Sequence, residues 1–224
     1  MSFELPPCIL FDLDGTLVDS LPGIEFSARK AFANCGLSLA TQNLRELIGP
    51  PIRTILSRAG NVVNAETLDA LEREFRASYD DEGWRKSSCF PGTLQLLQLM
   101  RERGHRLFVV SNKPRHISLP ILEREGILKY FDTVVTRDSG SPHHNGKDQM
   151  ISALLADRSI ASEHCVVVGD TSEDATAAAM LGIRFIFMTH GYGRLPQTPS
   201  TPIWFAVDNF SQLSSWMIKE TVLD

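Results

Sequence analysis

The chain has 224 residues, enough for one large domain or for one domain that carries a smaller insertion. Hydrophobic residues make up 43% of it and charged residues 22%, so it can bury a full core and shows no bias towards disorder. The formal net charge of -5 excludes a strongly basic protein, and we expect no nucleic-acid partner. No apolar run reaches about 18 residues, so we predict no membrane span.

The four cysteines are scattered along the chain and form no Cys-x-x-Cys pair. This usage suits a reducing compartment and predicts neither a disulfide framework nor a structural zinc site. Because the N-terminus also lacks the cationic segment of a secretory signal, we expect a cytoplasmic protein. Cys8 and Cys165 each begin an apolar run, and we interpret them as small buried hydrophobic residues.

The first predicted element is a buried strand over 8–11, which ends on two carboxylates, Asp12 and Asp14. Open sheets bind ligands at the carboxyl ends of their strands, so these acids are expected at a binding edge. Gly15 lets the backbone approach a ligand closely. Two carboxylates so near each other repel unless a cation or a proton lies between them, which favours a bound ion over a plain turn.

The block over 21–88 is predicted to be helical throughout, and no strand-like run interrupts it. The helices are predicted over 24–35, 41–48, 52–58 and 65–79. We interpret this block as an insertion that forms a cap over the strand ends. Phe90-Pro91-Gly92 marks the return to the core, since Pro and Gly punctuate element boundaries.

After this block, short apolar runs alternate with helical patterns. We predict strands over 106–110, 133–135, 165–168, 184–188 and 205–207, and helices over 94–103, 148–155, 175–181 and 211–218. Strands that alternate with helices indicate an α/β protein with a Rossmann-like parallel sheet. The segment 196–202, rich in Pro, Ser and Thr, is predicted to be an exposed loop.

Three of the predicted strands end on polar residues of complementary type. These residues are Asp12, Asp14, Ser111, Asn112, Asp170 and, one helical turn later, Asp174. Parallel strands bring their carboxyl ends together, so we expect these groups to share one crevice. Each acid taken alone could be a helix cap or a turn residue. Together, carboxylates without Cys or His favour Mg²⁺ over zinc.

The same edge offers donors for a phosphate group. Gly15 and Thr16 supply backbone N–H groups and a hydroxyl, and Ser111 and Asn112 supply a hydroxyl and an amide. Lys147, just before the helix predicted over 148–155, supplies a positive charge suited to a phosphate oxygen. For Lys147 alone, a solvated surface lysine is the alternative.

These motifs resemble those of the haloacid dehalogenase superfamily, most closely its phosphoglycolate phosphatase-like branch with a helical cap. The resemblance covers essentially the whole chain. It rests on Asp12-x-Asp14-Gly15-Thr16-Leu17-Val18-Asp19-Ser20, Ser111-Asn112-Lys113-Pro114 and Gly169-Asp170-Thr171-x-x-Asp174. It implies an α/β core domain over 1–18 and 89–224 and an all-α cap domain over 19–88. Many relatives carry Lys-Pro at the lysine motif, whereas this chain has Lys147-Asp148.

By this resemblance, Asp12 attacks phosphorus and forms an aspartyl-phosphate, while Asp14 protonates the leaving alcohol and then activates the hydrolytic water. Mg²⁺ would be bound by Asp12, by the backbone carbonyl of Asp14 and by Asp170, with Asp174 orienting a metal-bound water. The phosphoryl oxygens would be held by Gly15, Thr16, Ser111, Asn112 and Lys147. Because Asp14 supplies a proton donor two residues after the nucleophile, we expect phosphate ester hydrolysis or phosphoryl transfer.

The cap is expected to set specificity. Its segment over 47–53 is similar to the substrate-facing turn of phosphoglycolate phosphatase-like caps. Gly49 and two prolines make a stiff turn that would present backbone N–H groups or Arg53 to the leaving group. A plain turn between helices with a solvated arginine is an equal alternative. Arg45 is a lesser candidate.

The sequence therefore predicts a Mg²⁺-dependent phosphatase for a small phosphorylated metabolite, with 2-phosphoglycolate as the first candidate. The alternatives are a 5'-nucleotidase, a pyrophosphatase, a sugar-phosphate phosphatase or a phosphomutase of the same superfamily. A catalytically idle binding module on the same fold is a further alternative, since a fold alone does not guarantee activity. We expect a monomer or a homodimer.

Overall fold

The computed structural model describes residues 6–41, 43–194 and 203–219, so the loop predicted over 196–202 lies outside the described residues. The strands are β1 (Cys8–Phe11), β2 (Val18–Asp19), β3 (Ser88–Cys89), β4 (Arg106–Ser111), β5 (Thr133–Thr136), β6 (Cys165–Gly169), β7 (Arg184–Met188) and β8 (Ile203–Val207). The α-helices are α1 (Leu21–Asn34), α2 (Ile52–Gly60), α3 (Ala65–Asp81), α4 (Thr93–Glu102), α5 (Arg115–Arg124), α6 (Lys147–Arg158), α7 (Ser172–Met180) and α8 (Phe210–Lys219). Within the described ranges, none of these helices has the length and apolar content to cross a membrane.

The larger sheet has six parallel strands in the order β5-β4-β1-β6-β7-β8. In its centre, Phe11 at the end of β1 is level with Val109 of β4 and Val168 of β6. This register places the residues that follow β1, β4 and β6 at one edge of the sheet. The α/β fold with a parallel sheet is confirmed, and all six predicted strands are present.

Apolar side chains cover both faces of this sheet. Ile9 and Phe11 belong to a cluster shared with α4, α5 and α8, whereas Cys8 and Leu10 belong to a second cluster shared with α6 and α7. The split follows from the two-residue period of a strand, which sends successive side chains to opposite faces. Both faces are therefore occupied by helices, and ligands can reach the sheet at the polar strand ends.

A helical segment between β2 and β3 faces the polar edge of the sheet across a cleft. At its base, β2 and β3 pair antiparallel, with Val18 opposite Cys89 and Asp19 opposite Ser88. Inside the segment, α1 packs on α3 and buries Phe32. The sequence does not predict β2 and β3, because two-residue strands are too short to show a period.

One predicted helix is mostly replaced by a turn. The pattern over 41–48 predicts a helix, but the structure has only a short 3₁₀ helix, Leu44–Leu47. The backbone is extended at Ile48, and Gly49 then takes a φ of 131°, in the region that favours glycine. Pro50 follows, and a residue before proline is pushed out of the helical region. The prediction of a full helix at this place was wrong.

Helix α5 was missed by the sequence analysis. Pro120 lies inside it, and an interior proline ordinarily costs a helix about 3 kcal/mol because it lacks an N–H and crowds the preceding turn. Ile117, Ile121 and Leu122 nevertheless lie on one buried face of this helix. Burial of that face offsets the unfavourable local preference, since helices in proteins gain most of their stability from packing.

Candidate active site

Three carboxylates lie together at the polar edge of the sheet. Asp12 follows β1, Asp170 follows β6, and Asp174 lies in the first turn of α7. One oxygen from each lies within 4.8 Å of the others, and the exposures of the three residues are 6%, 0% and 1%. An all-oxygen donor set of this kind suits a hard divalent cation such as Mg²⁺.

Asp170 is fixed by donors on both of its oxygens. The hydroxyl of Thr16 donates to Oδ1 at 2.9 Å, and the backbone N–H of Tyr192 donates to Oδ2 at 2.7 Å. Burial and the neighbouring Asp174 charge raise the pKa of Asp170 to about 6. The loop that carries Tyr192 approaches very closely, because a Cβ atom on Gly191 would lie 2.2 Å from the Cβ of Asp170. A glycine is therefore required at position 191.

Asp174 is held by a capping box at the start of α7. Its backbone N–H donates to the hydroxyl of Thr171 at 3.3 Å, and its Oδ2 accepts from the backbone N–H of Thr171 at 3.0 Å. The second carboxylate oxygen, Oδ1, is left to face Lys147. The first turn of α7 thus orients Asp174 towards the carboxylate cluster.

Lys147, the first residue of α6, supplies the positive charge of the cluster. Its Nζ lies 2.7 Å from Oδ1 of Asp12 and contacts Oδ1 of Asp174, and the side chain is 4% exposed. Burial disfavours the ammonium form, but the Asp12 and Asp174 charges outweigh it and raise the pKa of Lys147. The pKa of Asp12 is raised well above its usual value, mainly because the carboxyl group is buried. The neighbouring Asp174 and Asp170 charges raise this pKa further. The cluster has one ammonium group for three carboxylates, so its negative charge is only partly balanced and favours binding of a further cation.

Asp14 stands apart from this cluster. Its carboxylate is bound by the ammonium of Lys113, which lies 2.8 Å from Oδ1 and 2.9 Å from Oδ2. Lys113 is 9% exposed and also lies 4.9 Å from the ring centroid of Tyr79 on α3. The Asp14 charge raises the pKa of Lys113 against the opposing effect of burial. Lys113 follows Ser111-Asn112 directly, but the local sequence pattern does not reveal its role, because its partner Asp14 is 99 residues away.

Only some of the residues expected to donate hydrogen bonds to phosphate line the cleft. Ser111, Asn112 and Lys147 line the same cleft as Asp12 and Asp14. The hydroxyl of Thr16 is instead used on Asp170, and Thr16 is fully buried.

Gly15 is also buried and does not line the cleft. Its φ of 86° favours glycine, and a Cβ atom there would lie 2.4 Å from Oδ2 of Asp170. The structure therefore gives Gly15 and Thr16 contacts with a candidate metal ligand.

Asn112 connects the sheet edge to the helical segment. Its side-chain nitrogen donates to the carbonyl of Gly49 at 3.2 Å and to Oε2 of Glu173 at 2.9 Å. Its Oδ1 is buried and has no hydrogen-bond partner among the described residues. Gly49 itself lines the cleft. The amide thus ties the turn at Gly49 to the core.

The two arginines considered for the substrate have protein partners. Arg53 lies on α2, where its guanidinium binds Asp69 at 2.6 Å and Glu72 at 3.2 Å, and it is not among the residues that line the cleft. Arg45 donates to the carbonyls of His190 and Gly191, at 2.7 Å and 2.5 Å. Arg45 therefore joins the helical segment to the loop after β7.

Tyr192 in that loop fastens the junction between β2 and α1. Its hydroxyl accepts from the backbone N–H groups of Ser20 and Leu21, at 2.7 Å and 3.0 Å, and donates to Oδ1 of Asp19 at 2.8 Å. The motif Gly191-Tyr192-Gly193 is visible in the sequence, but a short Gly-x-Gly pattern says little by itself. Its close approach to Asp170 becomes evident only in the folded chain.

We expect Tyr192→Phe to lower the free energy of unfolding by about 1–3 kcal/mol, because it leaves the buried backbone N–H of Ser20 without its acceptor, whereas the N–H of Leu21 keeps Oδ1 of Asp19. Urea denaturation of both proteins measures this difference. Tyr130→Phe, at a half-buried tyrosine in the turn after α5, is the matched control and is expected to stay within about 0.5 kcal/mol of the parent. Equal stability of the Tyr192→Phe variant and the parent would show that the hydroxyl contacts contribute nothing.

A central parallel sheet with buried acids at its strand ends and a helical segment over them defines a Rossmann-like α/β protein with a site at the carboxyl edge of its sheet. The family model described as haloacid dehalogenase-like hydrolase matches residues 9–188. The chain belongs to this family, as a phosphoglycolate phosphatase-like member.

The proteins that this chain is similar to carry different printed names. The chain is similar to tyrosine-protein kinase PtkA of Mycobacterium tuberculosis, with 34% identity over 192 residues that cover 85% of this chain and 65% of that relative. It is also similar to phosphoglycolate phosphatase of Rhodobacter capsulatus, with 30% identity and coverage of 86% and 88%. Among solved structures, a predicted phosphoglycolate phosphatase from Haemophilus somnus superposes with a TM-score of 0.83 at 26% identity, covering 97% of this chain and 99% of that one. The chain thus spans only about two thirds of the PtkA length.

Proposed function

We propose that this hydrolase is a Mg²⁺-dependent phosphatase that cleaves a phosphate monoester through an aspartyl-phosphate on Asp12. The observation that carries the proposal is the buried Asp12 carboxylate, 2.7 Å from Lys147 and on the wall of a cleft that Asp14 also lines. A carboxylate can act as a nucleophile when its charge is balanced and water is limited around it. Asp14 provides a second, separately held carboxyl group for proton transfer.

In the first step, a carboxylate oxygen of Asp12 forms a bond to phosphorus while the ester oxygen of the leaving group departs. Asp14 gives its proton to that oxygen, so an alcohol is released. In the second step, Asp14 takes a proton from water as the water oxygen attacks the aspartyl-phosphate. Inorganic phosphate leaves and the Asp12 carboxylate is restored. Ser111 and Lys147, which line the same cleft, would bind phosphoryl oxygens during both steps.

The donor set fits a magnesium ion. Asp12 and Asp170 would supply carboxylate oxygens, with the carbonyl of Asp14 as a further ligand and Asp174 close by. Mg²⁺ would supply positive charge between the nucleophile and the anionic phosphate. The cluster has more carboxylates than ammonium groups, and this excess of negative charge favours binding of a divalent cation.

Removal of divalent cations with EDTA should abolish turnover reversibly, and Mg²⁺ should raise the melting temperature of the metal-free protein. At a concentration 100 times the Kd, Mg²⁺ is expected to stabilise the fold by about 2.7 kcal/mol. Differential scanning fluorimetry and phosphate release measure the two effects. The Asp170→Asn variant should lose most of the thermal shift, and full turnover by metal-free protein would refute the role of Mg²⁺.

The segment over 19–88 is proposed to act as the cap on a core formed by 1–18 and 89–224. The proposal is supported by the antiparallel pair β2–β3 at its base and by the cleft between the two parts. All four cysteines are free thiols, which agrees with a cytoplasmic enzyme. We propose a monomer or a homodimer.

The test of the function is phosphate release with Mg²⁺ from 2-phosphoglycolate, nucleoside monophosphates, hexose phosphates and pyrophosphate. Phosphoglycolate comes first because a relative with that printed activity is 30% identical. Turnover that disappears in Asp12→Asn supports the proposal. Transfer of the phosphoryl group to a sugar without release of phosphate would favour a phosphomutase instead.

A further inference from the structure

The cleft between the helical segment and the core is much wider than a phosphoryl group. Its volume is about 430 Å³, within the range of pockets that enclose ligands of drug-like size. The polar floor is formed by Asp12, Asp14, Ser111, Asn112 and Lys147. Apart from the ester oxygen that Asp14 would protonate, the leaving group must therefore contact the remaining walls.

Most of the opposite wall is apolar. Its apolar side chains include Ile48, Pro50, Ile52, Ile55, Phe75 and Tyr79, all from the segment between β2 and β3. The rings of Phe75 and Tyr79 are stacked, with centroids 5.3 Å apart and planes at 11°. Apolar and aromatic surface of this kind binds apolar groups, preferably flat ones, and gains nothing from a hydrated leaving group.

The charged groups on the helical side of the cleft are already paired. The guanidinium of Arg76 binds Oε1 of Glu72 at 2.7 Å, and Asp80 lies 3.2 Å from Nε2 of His116. A carboxylate on a small leaving group, such as that of glycolate, would have to compete with these partners. Arg137 and His143 also line the cleft, but they come from the segment between β5 and α6, so a leaving-group carboxylate would be met on the core side and not at the apolar wall.

We propose that the preferred substrate is a phosphate monoester whose leaving group is an apolar, ring-sized alcohol rather than a two-carbon hydroxy acid. This inference rests on the proposed phosphatase function. The phosphoryl group lies on the polar floor, and the ring lies against Ile52, Ile55 and Phe75.

The test compares kcat/KM for benzyl phosphate, ethyl phosphate and 2-phosphoglycolate with Mg²⁺. Benzyl and ethyl esters both release primary alkoxides, so their chemical reactivities are close and the comparison reports the fit of the ring. We expect benzyl phosphate to exceed ethyl phosphate by about tenfold or more, since even one methylene group in an apolar pocket is worth about tenfold. In Ile52→Ser the ratio should fall by about threefold or more.

Val63→Ser is the matched control, because Val63 also lies in the helical segment but is 92% exposed and does not line the cleft. It should keep the benzyl-to-ethyl ratio of the parent. Should Ile52→Ser fail to fold by circular dichroism, inhibition of the parent by benzylphosphonate and ethylphosphonate gives the same comparison, with the benzyl compound expected to bind about tenfold tighter.

Three results would overturn the inference while leaving the phosphatase function intact: a ratio near one, a preference for 2-phosphoglycolate over benzyl phosphate, or an unchanged ratio in Ile52→Ser. The absence of turnover with every ester, in the parent protein with Mg²⁺, would instead overturn the proposed function on which the inference rests.

Discussion

Replacing Asp12 with asparagine should lower kcat for phosphate release by about ten-thousand-fold or more, the loss typical of removing a covalent nucleophile. The amide cannot form the acyl-phosphate bond, whatever else remains in the cleft. The fold should be kept, since Lys147 still has Asp174 as a partner and the buried negative charge is reduced. Steady-state phosphate release and circular dichroism measure the two properties.

Asp157→Asn makes the same chemical change at an exposed position on α6 and serves as the control. Its kcat should equal that of the parent protein. If Asp12→Asn kept a tenth of the parental kcat, Asp12 would not be the nucleophile, and attack by water would have to be considered. A folded Asp12→Asn protein without turnover is the expected outcome.

Replacing Lys147 with methionine should lower the free energy of unfolding of the metal-free protein by about 3–5 kcal/mol at neutral pH. The reason is that the change leaves Asp12 and Asp174 buried without their counter-charge. The same variant should lose most of its kcat/KM, because the change removes from the cleft the ammonium that we propose to bind phosphate. Urea denaturation with and without Mg²⁺ measures the first effect, which the cation should reduce.

Lys129→Met, at an exposed position in the turn after α5, is the matched control and should change stability by less than about 0.5 kcal/mol. A similar small change in Lys147→Met would mean that the buried contacts of Lys147 add nothing to the fold. A stable Lys147→Met protein with full activity would also remove the lysine from the proposed phosphate site.

The helices show where sequence reasoning about the fold succeeds and fails. The repeat over 65–79 predicts a helix, and α3 spans Ala65–Asp81. The pattern over 41–48 also predicts one, but the chain turns after Leu47 because proline and Gly49 stop the helix. In α5 the opposite happens: Pro120 disfavours a helix locally, but packing of the buried face stabilises the helix. Local patterns fail where a few residues or a distant surface outweigh them.

In the candidate site, too, some contacts could be predicted from the sequence and others could not. The acids at the ends of two strands, Asp12 and Asp170, could be predicted to meet because parallel strands share an edge. The hydroxyl of Thr16 was expected at a phosphate but donates to Asp170. Arg53 was a candidate for the substrate, yet its nearest acids are on α3. A side chain takes the closest partner in space, which a one-dimensional pattern does not specify.

By itself, the sequence determined the alternation of strands and helices, the helical block that follows the first strand and the carboxylates at the strand ends, because local hydrophobic periods and short motifs encode these features. Only the tertiary structure decided which charges pair. Lys113 binds Asp14 across 99 residues of sequence, and the ring of Tyr79 comes from a third segment. The apolar wall over the candidate active site is also a tertiary property, since it forms where helices from one segment meet strand ends from another.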